Sequence, residues 1–241
     1  MEYYFTLEHA LPEGVGFRLW GWEHIAWLFI ALALGAAICL SYRRAGRRGR
    51  DALRRGVGIA VLLCELLKDL NLIVQGGFSI YYLPLHLCGL AVFFTLADSL
   101  RPGETLENLL YSSCMPGAAF ALAFPDWTMF PAFSYHSTVA FTVHTLLACY
   151  PLMLVLGGDL RPAPRLLPRC LGILALLAAA VYVFDRVFRA NYLFLLAPAA
   201  GSPLEWFASF LGNPGYLLGY IPMLALVWGL LYLPFLRKKT E

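Results

Sequence analysis

The sequence predicts an all-helical, polytopic membrane bundle of seven transmembrane helices. Two observations carry that prediction. Of 241 residues, 60% are hydrophobic and 14% charged, where a soluble domain holds about 45–50% apolar and about 25% charged residues. The apolar residues also fall in long uncharged runs that lack the period-two alternation of barrel strands. With 15% aromatic residues and little charge, the chain is the compositional opposite of a disordered one. A formal charge of +3 is too small to point to nucleic acid as a partner.

Crossing a bilayer core about 30 Å thick takes about 20 helical residues. Seven runs meet that need, and together they make one domain over residues 1–241. The first, Trp22 to Tyr42, opens on Glu23 and His24. The second, Gly56 to Gln75, carries Glu65, Lys68 and Asp69. The third, Ile80 to Ala97, contains Pro84, His86 and Cys88, and the fourth, Asn108 to Phe124, contains Pro116 and Gly117. The fifth, Phe133 to Leu156, holds His136 and His144. The sixth, Pro168 to Phe188, ends on Asp185, Arg186 and then Arg189, and the seventh, Gly212 to Leu236, is uncharged. The prolines and Gly117 mark places where helices kink and part.

Orientation follows from the basic residues. Arg43, Arg44, Arg47, Arg48, Arg50, Arg54 and Arg55 in the first loop, Arg101 in the third, Arg161, Arg165 and Arg169 in the fifth, and Arg237, Lys238 and Lys239 in the tail share one side of a seven-span bundle. They are fourteen of the eighteen Lys and Arg. The positive-inside rule then puts the N-terminus outside and the C-terminus inside. Topology setting accounts for the arginine-rich loop by itself, although such a loop also suits anionic lipid headgroups. The first twenty residues carry Glu2, Glu8 and Glu13 before any arginine and lack a short apolar core. No signal peptide is expected there, and the N-terminus is expected to be retained.

Polar side chains inside a span are costly, so their depth is informative. At a rise of 1.5 Å per residue, Glu65, Lys68 and Asp69 lie roughly 9–15 Å below the outer boundary, His86 and Cys88 about 9–12 Å, and His144 about 16 Å. His136 stays near the outer end, and Asn191 with Tyr192 follow the sixth span there. Ionisable groups from four spans thus gather in the outer half, which predicts a polar pocket opening outward. Glu65, Lys68 and Asp69 are also spaced to pair on one helix face. Arg186 and Arg189 fit either a phosphate contact or interfacial anchoring.

The six cysteines, at 39, 64, 88, 114, 149 and 170, show no CxxC or CxxH spacing, so neither a zinc site nor a disulfide framework is signalled. Five read as packing residues. Cys88 alone shares its depth with two histidines. His144 lies about one turn deeper on another span and is the preferred base for a Cys88 nucleophile. His86, two residues away on the same predicted helix, reads as a supporting group. In a bilayer such a pair meets fatty-acyl esters, and thiolate attack would give a thioester that a lipid or water resolves. No metal or soluble cofactor is implied, since no HExxH-type spacing is present.

Several segments also resemble a known family. The opening EYYFTLEHALPEGVGFRLWGWEHIAWL, LPLHLCGL at 83–90, FPDW at 124–127, the fifth-span HS and FTVH, and ANYLFLLAP at 190–198 are similar to the YwaF-type family of bacterial integral membrane proteins. The similarity covers essentially the whole chain. That family is related to the eukaryotic transmembrane protein 164, which moves a polyunsaturated acyl chain onto lyso ether phospholipids through a cysteine and a histidine. The resemblance implies that Cys88 matches the acyl-accepting cysteine and His144 the catalytic histidine. It also implies a bacterial cytoplasmic membrane location and phospholipid substrates.

The leading functional expectation is therefore a cysteine-dependent acyltransferase with Cys88 as nucleophile and His144 as base. His86, Glu65, Lys68, Asp69, His136, Asn191 and Tyr192 would line the cavity, with Arg186 and Arg189 meeting phosphate. A hydrolase would use the same residues. The alternative from another class is a transporter or receptor that binds a small polar or lipidic ligand in the same cavity.

Overall fold

A computed structural model of the chain describes residues 3–199 and 202–236. Among them every regular element is helical. The helices are α1 (Trp22–Arg44), α2 (Arg47–Val74), α3 (Leu87–Leu100), α4 (Glu104–Leu109), α5 (Met115–Ala123), α6 (Tyr135–Gly157), α7 (Leu167–Phe188), α8 (Pro203–Leu211) and α9 (Tyr220–Leu236). Helix α6 is the hub. In its apolar window 56% of residues are buried, against 17% in α1, α7 and α9, and α1, α2, α3 and α5 all pack against it. Its ends are conventional. The Ser134 hydroxyl accepts the Ser137 N–H at 3.2 Å, and Gly158 closes the helix with φ +81°, a left-handed conformation that glycine adopts without steric cost.

Four helices are both long and apolar enough to cross a membrane: α1, α6, α7 with its preceding 3-10 turn, and α9 with its own. Helix α2 has the length, but its first turns are rich in arginine. The predicted fourth span is a continuous helical segment over residues 104–123, interrupted by a π-helical turn at Leu110–Cys114. The interruption has a cause and a consequence. Pro116 has no N–H to give to the Ser112 carbonyl four residues back, and that carbonyl instead accepts the Trp228 indole N–H at 3.1 Å. Tyr111 likewise donates to the Leu231 carbonyl at 2.9 Å, so the irregular turn is what fastens α9 to the bundle.

The third predicted span is corrected. Helix α3 begins at Leu87, not Ile80; a 3-10 turn at Ile80–Tyr82 and an extended stretch precede it. The reason is Pro84, which lacks a donor for helix continuation and keeps Leu83 extended at φ −60°, ψ 144°. His86 is consequently the N-cap residue of α3, and Cys88 lies in its first turn. The basis for separating His86 from Cys88 by helical spacing lapses with it.

At the end of the bundle that carries the arginine-rich loop, one guanidinium gathers three helices. Arg54 on α2 bonds Asp98 on α3 at 3.2 Å and Glu107 on α4. Asp98 also accepts the Tyr150 hydroxyl of α6 at 2.8 Å and the Gly103 N–H at 3.2 Å. A layer further out, Asp159 accepts from Tyr42 at 2.6 Å and from Arg50 at 3.0 Å. Close packing of α2 on α3 continues above this clasp, where Gly58 sits against the Ser99 side chain and any Cβ would collide with it. The predicted basic tail, Arg237, Lys238 and Lys239, lies outside the described residues.

The clasp predicts an asymmetry between neighbouring arginines. Arg54→Gln leaves two buried carboxylates without their cation and should cost about 3–5 kcal/mol. Arg55→Gln, at an exposed position, should stay within about 0.5 kcal/mol. Thermal unfolding in detergent should separate the two variants; equal midpoints would remove the clasp from the account.

Candidate functional site

Cys88 lies in the first turn of α3, at the opposite end of that helix from Asp98. Cys88 stands at the start of α3, half-buried, with no hydrogen-bond partner among the described residues. The first intrahelical bond runs from Leu90 N to His86 O at 3.0 Å, so the amides of Leu87, Cys88 and Gly89 precede it. These first-turn amides are free of intrahelical partners, and they lie at the positive end of the helix dipole. Gly89 is what lets the preceding extended stretch fold back on this turn. A Cβ there would lie 2.6 Å from Pro84 Cα.

The two histidines that the sequence singles out with Cys88 are held in opposite tautomers by the backbone. His144 Nδ1 lies 2.8 Å from the Ala140 carbonyl of its own helix. A carbonyl only accepts, so Nδ1 carries the proton and Nε2 presents a lone pair. His86 is the reverse. Its Nδ1 accepts the Leu193 N–H at 3.3 Å, which leaves the proton on Nε2. One ring thereby presents a bare Nε2 and the other an Nε2–H. Neither His144 Nε2 nor His86 Nε2 has a hydrogen-bond partner among the described residues, and neither histidine is bonded to Cys88.

Trp127 fixes the His144 ring, stacking on it at 4.9 Å and 22° while meeting Phe141 edge-on at 5.2 Å. It arrives from the loop between α5 and α6, which is fastened by the Phe17 N–H to the Thr128 carbonyl at 3.0 Å. Asp126, next to it, is exposed. The sequence reading quoted FPDW as a motif but assigned Asp126 and Trp127 no role. A tryptophan following a carboxylate at a span boundary was the available signal.

The other predicted residues divide. Lys68 pairs with Glu65 at 2.5 Å and with Asp69 at 3.5 Å, so the triplet satisfies much of its own charge. His136 stacks on Phe130 at 4.7 Å and meets Asn71 at 3.3 Å. Asn191 closes its own loop, accepting from Leu196 and Ala197 and donating to the Ala197 carbonyl. Tyr192 is buried, and burial pushes its phenol up to about 12, so it stays a donor to the Ile80 carbonyl at 2.5 Å. Arg186 and Arg189 are exposed at the end of α7 with no polar contact among the described residues.

The loop that meets His86 is strained. Leu193 and Phe194 have φ of +53° and +52°, a region that costs side-chain-bearing residues about 1–3 kcal/mol each. Tyr220 and Tyr216 hold this turn by donating to the Leu193 and Phe194 carbonyls, each at 2.8 Å. An open cleft of about 330 Å³ is lined by Tyr4, Phe5, Thr6, Leu7, His9, Ala10 and Gln75. Another of about 660 Å³ lies at the arginine end. Cys88 and His144 line neither.

Gly89→Ala should therefore destabilise the protein by about 1–3 kcal/mol through overpacking. Gly172→Ala, where an added Cβ meets open space on α7, should stabilise it by about 0.5–1 kcal/mol. Opposite shifts of the unfolding midpoint are expected; a neutral Gly89→Ala would mean that the Pro84 fold-back does not constrain Cys88.

The family model described as the TMEM164 family matches residues 19–232, a stretch that contains His86, Cys88, Asp126 and His144. No curated protein and no solved structure matches the chain. Four long apolar helices together with that match make this a multi-pass membrane protein, and it belongs to the TMEM164 family.

Proposed function

We propose that this protein is a membrane-embedded, cysteine-dependent acyltransferase acting on phospholipid or lysophospholipid acyl chains. The observation that supports it best is the pair of opposed histidine tautomers, one of them on the residue that caps the helix carrying the Cys88 thiol. His144 Nε2 takes the Cys88 proton, and the thiolate attacks the ester carbonyl of a donor lipid. The carbonyl oxygen becomes an oxyanion, for which His86 Nε2–H and the first-turn amides are the available donors. As the tetrahedral intermediate collapses, the protonated His144 gives its proton to the departing lysolipid oxygen, leaving an acyl thioester on Cys88. An acceptor hydroxyl then loses its proton to His144 and attacks the thioester, and the thiol is restored. Water in the acceptor's place would make the same site a hydrolase.

In this reading α2, α3 and residues 104–123 complete seven spans in the cell membrane, with the N-terminus outside by the distribution of arginine. Lys68, Glu65, Asp69 and His136 form the polar wall beside the reacting groups. Asn191 and Tyr192 hold the loop that orients His86, and the exposed Arg186 and Arg189 stand at headgroup level. Binding without chemistry, as in a receptor or transporter, would leave the thiol dispensable.

Purified protein incubated with mixed phospholipids should gain the mass of a fatty acyl chain that neutral hydroxylamine removes. Cys88→Ser should abolish the adduct, and His144→Ala should slow its formation by about 10²-fold or more. Absence of any adduct after rapid quenching, together with undiminished lipid binding by Cys88→Ser, would replace the enzyme reading with a binding role.

A further inference from the structure

The loop after α7 carries the N–H that selects the His86 tautomer, and its geometry is fixed one peptide unit at a time. Leu193 N–H donates to His86 Nδ1 at 3.3 Å. The peptide unit before it holds Tyr192 N–H, which donates to Asp185 Oδ1 at 3.0 Å. The unit after it holds the Leu193 carbonyl, which accepts the Tyr220 hydroxyl at 2.8 Å. The unit that meets His86 is thus clamped on both sides. Between the clamps Leu193 takes φ +53°, a conformation that a residue with a side chain keeps only where its surroundings impose it.

Asp185 is a costly residue to use for the first of these clamps. It is wholly buried, and its Oδ2 has no hydrogen-bond partner among the described residues, whereas a buried carboxylate needs its oxygens satisfied to offset the loss of water. Its bond to Tyr192 N–H spans seven residues, passing the end of α7 at Phe188 and the left-handed Arg189. The carboxylate therefore fixes where the loop lies against the helix that it leaves. Tyr192 carries that placement to the segment before α3. Its hydroxyl donates to the Ile80 carbonyl at 2.5 Å, and its ring meets the His86 ring edge-on at 4.9 Å.

We propose that Asp185 is a positioning residue for His86. By holding Tyr192 N–H it aims the next amide, Leu193 N–H, at His86 Nδ1, which keeps the ring proton on Nε2. The inference rests on the reading of His86 Nε2–H as a donor to the oxyanion, and it names what keeps that donor in place. Asp185 acts through the loop, by the position of one oxygen. An amide oxygen at the same place can substitute for it.

The test uses full-length protein labelled with nitrogen-15 at histidine and held in lipid nanodiscs, with His86 assigned by His86→Gln. Asp185→Ser ends one bond short of Tyr192 N–H, and Asp185→Leu replaces the acceptor by an apolar group. The two differ in size, so a packing failure in one leaves the other to be read. Either should move the His86 Nδ1 resonance toward that of an unbonded imidazole nitrogen, leave the His144 resonances in place, and slow formation of the Cys88 adduct by about tenfold or more. Asp185→Asn should keep the resonance and the rate of the parent. A His86 resonance unmoved in Asp185→Ser and Asp185→Leu, or moved equally in Asp185→Asn, would overturn the positioning role. The resonance is read without turnover, so it tests Asp185 separately from the acyl transfer, which fails instead if the parent forms no adduct.

Discussion

The ion-paired guanidinium of Arg54 is the constraint on which the arrangement of helices rests. In an apolar surround a carboxylate without a partner is too costly to keep, so Asp98 and Glu107 must lie where Arg54 can reach both. That requirement brings α2, α3 and α4 to one point, and the Tyr150 hydroxyl on Asp98 adds α6. With the far end of α3 so pinned, the position of its first turn is set by helix length and by the fold-back of Pro84 on Gly89. Cys88 is located by an interaction at the other end of its helix. A pair whose net contribution to stability is small can still specify geometry strongly, because its alternatives are so unfavourable.

The site end follows a different logic, in which backbone groups select protonation. The Ala140 carbonyl and the Leu193 N–H are main-chain atoms, and each decides which nitrogen of a histidine holds the proton. Strain at Leu193 and Phe194 is maintained by two tyrosine hydroxyls, so part of the folding energy goes into presenting one N–H to His86. Aromatic stacking by Trp127 holds the other ring. The two ends of the bundle are thus built from different forces, charge pairing at one and directed hydrogen bonds at the other.

The helices were largely legible in the sequence because uncharged length is a local property. Trp22–Arg44, Tyr135–Gly157 and the sixth run appear nearly where hydropathy puts them. The third did not, since an apolar run containing Pro84 reads as continuous until the missing donor is weighed. The clasp was illegible for another reason. Arg54 is 44 residues from Asp98 and 53 from Glu107, and in sequence it is one arginine among seven whose placement the positive-inside rule already explains. Cys88 and His144 were singled out by depth, yet the tautomers that distinguish His144 from His86 depend on neighbouring main-chain atoms. Trp127 was not singled out because the His144 ring it stacks on lies 17 residues further along the chain, on another element.

The central claim is that main-chain atoms leave His144 with a bare Nε2 and His86 with a bare Nδ1, as the proposed acyl transfer at Cys88 requires. Nitrogen NMR of histidine-labelled protein in lipid nanodiscs, assigned with His144→Gln and His86→Gln, reports which ring nitrogen is protonated in each. The account predicts a protonated Nδ1 and bare Nε2 in His144, and the reverse in His86. A bare Nδ1 in His144 would leave Cys88 without a base and contradict it.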